Sequence, residues 1–375
     1  MWMHPSPLEP VMIAPSVSTA SSSEPTALRQ RWHALRESQP RTRIRDAATQ
    51  LGVSEAQLLA TGVGEDVVRL DLRLDTLLPK LESLGKVMTL TRNESAVHEK
   101  RGLYRNVEVN GAVALALDEN IDLRLFLHRW RFGFAFREVR PEGTRRSLHF
   151  FDPAGMAIHK VYVEDEAGVS AFEQLVTDYT HAEQSRELPV EPVAAAEVPR
   201  PDSEIDVEGL VSGWRGLQDT HEFFPLLRRF KVARTQALRL VSPEMTTPVA
   251  PASLTWVLEK ASASGLPIMV FVGNAGAIQI HTGPVHTVRA MGPWMNVLDP
   301  SFNLHLRTDH IHSAWVVRKP TRDGIVTSLE LFDAAGENIA LLFGKRKPGV
   351  PESLEWRALI DELVAALPVS TAVVS

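Results

Sequence analysis

The residue with the best claim to chemistry is His221, in the run Asp219-Thr220-His221-Glu222-Phe223-Phe224-Pro225. At helical spacing Trp214, Leu217, His221 and Phe224 share one face, which predicts a histidine set in an apolar stripe. Pro225 offers no N–H to the carbonyl of His221, so a helix there is expected to kink or loosen at the histidine. Such a histidine is more often a hydrogen-bonded core residue than a ligand, and the pattern leaves both open. Arg124 is the second candidate. In Ile121-Asp122-Leu123-Arg124-Leu125-Phe126-Leu127 it lies beside large apolar groups whether the segment is strand or helix. A guanidinium so placed needs an anion, either Asp122 or a ligand.

Other chemistries lack their residues. With no cysteine, disulfides, thiolate ligands, Cys-bound zinc and a Cys nucleophile are excluded, and a reducing compartment fits. His281 and His286, and His310 and His312, are close in sequence, but there is no HExxH. Neither GxGxxG, GxxxxGK[ST] nor GxSxG occurs, which argues against nucleotide-dependent and hydrolase chemistry. The net charge of −6 gives no bulk attraction to nucleic acid or anionic lipid. Residues 47–54, followed by a helix, imitate a helix-turn-helix. The would-be recognition helix Glu55-Ala56-Gln57-Leu58-Leu59 has no basic residue, whereas phosphate contact requires one. Arg41, Arg43 and Arg45 just upstream keep a DNA-binding regulator as an alternative to a plain helical hairpin.

These candidates are carried by a duplicated chain. Ser147-Leu148-His149-Phe150-Phe151-Asp152-Pro153-Ala154-Gly155 returns as Ser328-Leu329-Glu330-Leu331-Phe332-Asp333-Ala334-Ala335-Gly336, 181 residues on. The same offset carries Asp122-Leu123-Arg124-Leu125 onto Asn303-Leu304-His305-Leu306, and Asn93 and Ala96 onto Asn274 and Ala277. His221 has no counterpart: its equivalent falls near Gln39, and a feature present in one copy alone points to a site. Residues 187–204, rich in proline, predict an extended connector between a first repeat at 27–186 and a second at 205–367. Residues 1–26 are expected to be a disordered extension and 368–375 a tail. The start resembles no export signal, having no Lys or Arg before Arg29 and prolines at 5, 7, 10 and 15. No run approaches the roughly 18 apolar residues of a membrane helix, so a cytoplasmic protein is expected.

Within each half, helices come first and strands later. Ser54-Glu55-Ala56-Gln57 is a capping box ahead of Leu58 and Leu59. Residues 268–272 and 277–281 flank the hairpin signature Asn274-Ala275-Gly276, and 327–332 and 339–343 flank a second turn at Asp333. A helix is predicted over 354–367. Segregated helices and antiparallel strands give the α+β class.

Assembled, these pieces resemble the HemS/ChuS/PhuS family of bacterial cytoplasmic haem proteins, called hemin-degrading factors or hemin transport proteins. The likeness covers residues 28–367. It rests on Thr91-Arg92-Asn93-Glu94-Ser95-Ala96-Val97-His98-Glu99-Lys100, Asp122-Leu123-Arg124-Leu125-Phe126, the Asp219 to Phe224 block, Ile268-Met269-Val270-Phe271-Val272-Gly273-Asn274, and Trp315-Val316-Val317-Arg318-Lys319-Pro320-Thr321. The resemblance implies two similar halves, each with a large antiparallel sheet and helices, and a haem b cleft between them. It implies His221 as the axial iron ligand and Arg124 as the distal group reaching across from the first half. Arg234, Lys319 and Arg346 match the residues that hold the propionates, and Phe271 an aromatic beside the porphyrin. Bacterial haem uptake and iron acquisition follow as the setting, with a transporter, a reductase or a haem oxygenase as partners. Whether members degrade haem as oxygenases or only carry it stays open. The chain departs from its relatives at Ala275 and Ala277 in the turn, and at Leu341 and Phe343, where some relatives carry Gln and Tyr.

Overall fold

In a computed structural model, which describes residues 24–195, 198–347 and 349–369, the two halves run through the same order of elements. The first half opens with α1 (Pro25–Ser38), α2 (Ile44–Leu51) and α3 (Glu55–Ala60), then β1 (Val67–Leu70) and α4 (Leu74–Lys80). Strands follow: β2 (Lys86–Arg92), β3 (Ala96–Leu103), β4 (Val107–Asn110), β5 (Val113–Leu117), β6 (Asp122–Phe126), β7 (Phe132–Arg140), β8 (Gly143–Phe151) and β9 (Ala157–Val163), closed by α5 (Gly168–Asp178). The second half repeats the order with α6 (Val207–Arg215), α7 (Phe223–Phe230), α8 (Arg234–Leu240), β10 (Thr246–Val249) and α9 (Ser253–Ser264). Its strands are β11 (Ile268–Gly273), β12 (Ala277–Gly283), β13 (Val288–Met291), β14 (Trp294–Leu298), β15 (Phe302–Arg307), β16 (Ser313–Thr321), β17 (Gly324–Phe332) and β18 (Asn338–Gly344), before α10 (Leu354–Ala366). The predicted hairpins are β11–β12 and β17–β18, and the predicted last helix is α10. Residues 1–23 of the expected N-terminal extension and 370–375 of the tail lie outside the described residues. Helix α1 begins inside that extension, with Pro25 in its first turn, where a missing N–H costs nothing.

The strands do not stay within their halves. One nine-stranded sheet has the order β1-β7-β8-β9-β2-β3-β15-β14-β13, the other β10-β16-β17-β18-β11-β12-β6-β5-β4. Each sheet therefore takes six strands from one half and three from the other. The joins are antiparallel, β15 on β3 and β6 on β12, with Leu304 opposite His98 and Arg124 opposite Ile278. The α+β duplication holds, and reciprocal exchange of three-stranded units ties its copies together.

Two repeat-related asparagines fasten the seam. Asn93 Oδ1 accepts the backbone N–H groups of Ser95 and Ala96, while Nδ2 donates to the carbonyls of Gly273 and Ile339 at 3.1 and 2.9 Å. Asn274 does the same in reverse: its Oδ1 accepts from Gly276 and Ala277, and its Nδ2 donates to the carbonyls of Arg92 and Ile158, both at 2.8 Å. Behind them repeat partners meet each other. Gln279 Nε2 donates to His98 Nδ1 at 3.0 Å, and Lys100 Nζ to His281 Nδ1 at 3.2 Å. The His281 ring stacks on Phe302 with centroids 3.9 Å apart. His98, Lys100, Gln279 and His281 are all buried, and burial pushes both His159 and His281 down to about 3.

Helices cover the sheets on both faces. Ala56, Leu59 and Ala60 of α3 pack on Phe132, Phe134 and Phe151. The capping box forms as predicted, with Ser54 Oγ accepting from the Gln57 N–H and Gln57 Oε1 accepting from the Ser54 N–H. Glu55, Ala56, Leu58, Leu59 and Ala60 are buried, so α3 is core and has no free face for a DNA groove. In the second half, Leu210, Trp214, Phe223, Leu227 and Leu238 of α6–α8 form the matching layer against Val317 and Phe332. The start of the stretch between the repeats is held against the first half. Leu188 is buried, and the Glu191 N–H donates to the Pro153 carbonyl at 2.8 Å.

Candidate functional site

His221 does not sit in an apolar stripe. Helix α6 ends at Arg215, and a separate 3-10 turn, Thr220–Glu222, carries the histidine into α7. Trp214 and Leu217 are buried, but the His221 side chain is 90% exposed and Phe224 is 63% exposed. The expected shared face fails because Asp219 restarts the chain as a cap: its carboxylate accepts the His221 N–H, and Glu222 reaches back to the Asp219 N–H. Phe223, not Phe224, turns inward, packing edge-on against Trp214 with centroids 4.6 Å apart. Pro225 falls in the first turn of α7, where no helical N–H is needed, so it starts a helix rather than kinking one.

The cap also orients the imidazole. Asp219 Oδ1 lies 2.6 Å from His221 Nδ1. A carboxylate can only accept, so Nδ1 carries a proton, and in the neutral ring the Nε2 lone pair is the one left for a ligand. Asp219 is held below the usual carboxylate range by the His221 backbone N–H, by the His221 ring, and by the charge of nearby Arg346. The turn is docked on the second sheet through the Arg322 N–H, which donates to the Gln218 carbonyl at 3.0 Å.

Beneath Phe223 lies a buried ionic triad. Glu330, fully buried, accepts from Lys319 Nζ at 2.7 Å, from Arg234 Nε at 2.8 Å and from Ser328 Oγ at 3.0 Å. Burial works against its charge, but Arg234 and Lys319 hold its pKa down to about 2. Lys319 is buried, with Nζ 4.5 Å from the Phe223 ring centroid; Arg234 lies 5.3 Å from the same centroid and keeps part of its side chain exposed. The triad carries one net positive charge. Arg346 pairs loosely with Asp323 at 3.9 Å. His221, Arg234, Lys319 and Arg346 thus gather at one end of the site.

Phe271 and Arg124 stand elsewhere on the same sheet. Side chains of paired strand residues leave the same face, and register aligns Asp122, Ile280, Phe271, Leu341 and Glu330 in one row. At about 4.8 Å per strand, that row spans roughly 19 Å. Met269, Phe271, Ile278, Leu341 and Phe343 are half-buried there, an apolar shelf beyond the cover of α6–α8. Phe271 meets Phe343 edge-on with centroids 5.1 Å apart. At the far side Arg124 Nη1 donates to the Asp122 carboxylate and to the Leu123 carbonyl. Burial raises Asp122 despite the opposing pull of Arg124.

Sequence reasoning missed Asp219 and Glu330 as partners. Asp219 carried a signal, since Asp-x-x-Glu is a capping box. So did Glu330, a carboxylate between Leu329 and Leu331 where the first repeat has His149. Among the described residues no cluster of three or more His, Asp or Glu could hold a bare metal ion, and no helix is long and apolar enough to cross a membrane.

Comparison with known proteins gives this geometry a family. A family model described as haemin-degrading HemS.ChuX domain matches residues 52–179 and 231–363, once in each half. The chain is 43% identical over 323 residues to the hemin transport protein HemS of Yersinia enterocolitica, covering 85% of this chain and 92% of that one. It is 41% identical over 342 residues to the hemin transport protein HmuS of Yersinia pestis, covering 90% and 97%. Among solved structures it is similar to holo-PhuS, a heme-binding protein from Pseudomonas aeruginosa, at 48% identity and a TM-score of 0.89, covering 91% and 99%. It is likewise similar to the Escherichia coli O157:H7 heme degrading enzyme ChuS, at 38% identity and a TM-score of 0.85, with the same coverage. The chain belongs to the haemin-degrading HemS/ChuX-domain family.

Proposed function

We propose that this protein binds haem b on the shelf of the second sheet, with His221 as axial ligand and Arg124 on the opposite side. In this reading it receives imported haem in the cytoplasm and passes it on or opens the ring to release iron. The observation that carries it is His221, an exposed imidazole whose Nδ1 is tied to a carboxylate and whose Nε2 is free. The shelf of Phe271, Leu341 and Phe343 offers the apolar surface a porphyrin face needs. Arg234, with Nε spent on Glu330 and its terminal nitrogens beyond, and Arg346 are the cations for the propionates. Lys319 adds its charge through the triad. The names of the relatives, hemin transport proteins and a heme degrading enzyme, support the same substrate.

Ring opening is an oxidation that would take O₂ as oxidant, and with no flavin or nicotinamide motif in the sequence the electrons that activate O₂ would come from a separate reductase. A haem-uptake transporter as donor and a haem oxygenase as acceptor are the partners for the carrier role. Hemin titration of the purified protein tests the site. His221→Ala should alter the Soret band and weaken binding; an unchanged spectrum and affinity would sink the assignment. Turnover with a reductant and added catalase then separates the roles. Iron release that survives catalase marks an enzyme, and its loss marks a carrier with incidental peroxide chemistry.

A further inference from the structure

We infer that Asp122 is a positioning residue that aims Arg124 at the ligand. This inference rests on the haem-binding reading above. Asp122 and Arg124 are two residues apart on β6, so both side chains leave the face that carries the shelf. They are 25% and 32% exposed, which makes the pair half-buried at the shelf's border. Asp122 and the Leu123 carbonyl both take Nη1. Nε and Nη2 make no hydrogen bond among the described residues. One corner of the planar guanidinium is therefore anchored, and the remaining N–H groups keep a fixed direction for an incoming acceptor.

The duplication supplies an internal control. Asn303 and His305 occupy the positions of Asp122 and Arg124 in the first sheet, in the same kind of exchanged strand. There no ion pair forms, and His305 Nδ1 turns to Asn296 Oδ1 at 2.6 Å. The exchanged strand folds without a carboxylate–arginine pair, so the pair is no requirement of the architecture. Nor does burial favour the carboxylate: desolvation raises Asp122 in spite of Arg124. A half-buried carboxylate kept at such a cost, in one copy only, is explained by what it does to Arg124.

The test uses the ferrous carbonyl complex of the full-length protein. A hydrogen-bond donor facing bound carbon monoxide weakens the C–O bond and lowers its stretching frequency, so Arg124→Ala should raise it. Asp122→Asn, which preserves shape, should move the frequency at least half as far in the same direction, with hemin affinity changed less than threefold. Asp122→Glu should restore the wild-type value. A wild-type frequency in Asp122→Asn, or none of the expected rise in Arg124→Ala, overturns the inference. Matching thermal melts of wild type and Asp122→Asn exclude a folding defect. Failure of the haem reading itself is separately visible, as a wild-type protein that gives no Soret band with hemin.

Discussion

Asp219 grips His221 twice through one oxygen: Oδ1 accepts the backbone N–H at 2.8 Å and the ring Nδ1–H at 2.6 Å. The first bond sets the turn and the second sets the tautomer, so an imidazole at the surface has a defined lone-pair direction without a surrounding core. Partners that orient metal-ligating histidines typically account for 10–100-fold in affinity. Asp219→Asn should accordingly weaken hemin binding by about 10-fold or more. Spectral titration beside His221→Ala checks this; an affinity equal to wild type would remove Asp219 from the site.

Removing Glu330 should damage the fold as much as the site. Its carboxylate is the shared partner of Lys319 and Arg234, and a buried cation left unpaired costs about 3–5 kcal/mol. Glu330→Gln is expected to lower the urea midpoint by a corresponding amount. A Glu330→Gln/Lys319→Met double variant, which leaves no orphan lysine, should recover much of it.

The seam makes stability depend on pH. His98, His159 and His281 are buried as neutral rings, with His159 and His281 held to about 3 and His98 also well below its ordinary value. Between about 6.5 and 3 the unfolded chain binds protons that the folded chain refuses, so stability is lost as pH falls. His159 and His281 each contribute up to about 1.4 kcal/mol per pH unit across that window, and His98 acts in the same direction. Lys100, pushed down to about 8 by burial, acts in the alkaline range: stability should rise with pH from about 8 toward 10.5. Denaturant melts across these ranges measure both slopes, and a flat profile from pH 6.5 to 4 would contradict the acid limb.

Asn93 and Asn274 should be more costly to lose than surface turn residues. Asn93→Ala strips two turn N–H groups and two carbonyls of the other half of their partners. At about 1 kcal/mol for each net bond, and more for any group left buried, roughly 3–4 kcal/mol is expected. Asn274→Ala should match it, since its bonds mirror those of Asn93. Thermal or urea unfolding of the two variants side by side tests the equivalence.

Leu341 and Phe343 leave the shelf apolar. Leu341→Gln places a donor next to Phe271 and Glu330, and a hydrogen bond to a charged group is worth about 1.5–3 kcal/mol. Slower hemin dissociation, by about 10-fold, is the expected result in stopped-flow transfer to an apo-globin acceptor. An unchanged rate would place the propionates away from this strand.

Sequence by itself determined the duplication, the hairpins at Asn274 and Asp333, the Ser54 cap, the last helix, and the choice of His221 and Arg124 as residues to watch. These are short-range signals: periodicity, turn chemistry and a motif repeated in one order. Tertiary structure decided three other things. It docked the His221 turn, whose Asp219 cap is a local signal, on the second sheet through Arg322, and turned Phe223 rather than Phe224 inward onto Trp214. It brought Arg234, 96 residues away in the chain, onto Glu330, which already faces Lys319 across the β16–β17 hairpin. It placed β6, and Arg124 with it, on the second half's sheet. No local signal announces that placement, since β6 and β15 carry related patterns at the same place in the duplication. It is a long-range pairing, seen together with the contacts of Gln279 with His98 and of Lys100 with His281 at the seam, and it brings Arg124 to the shelf on which His221 is docked.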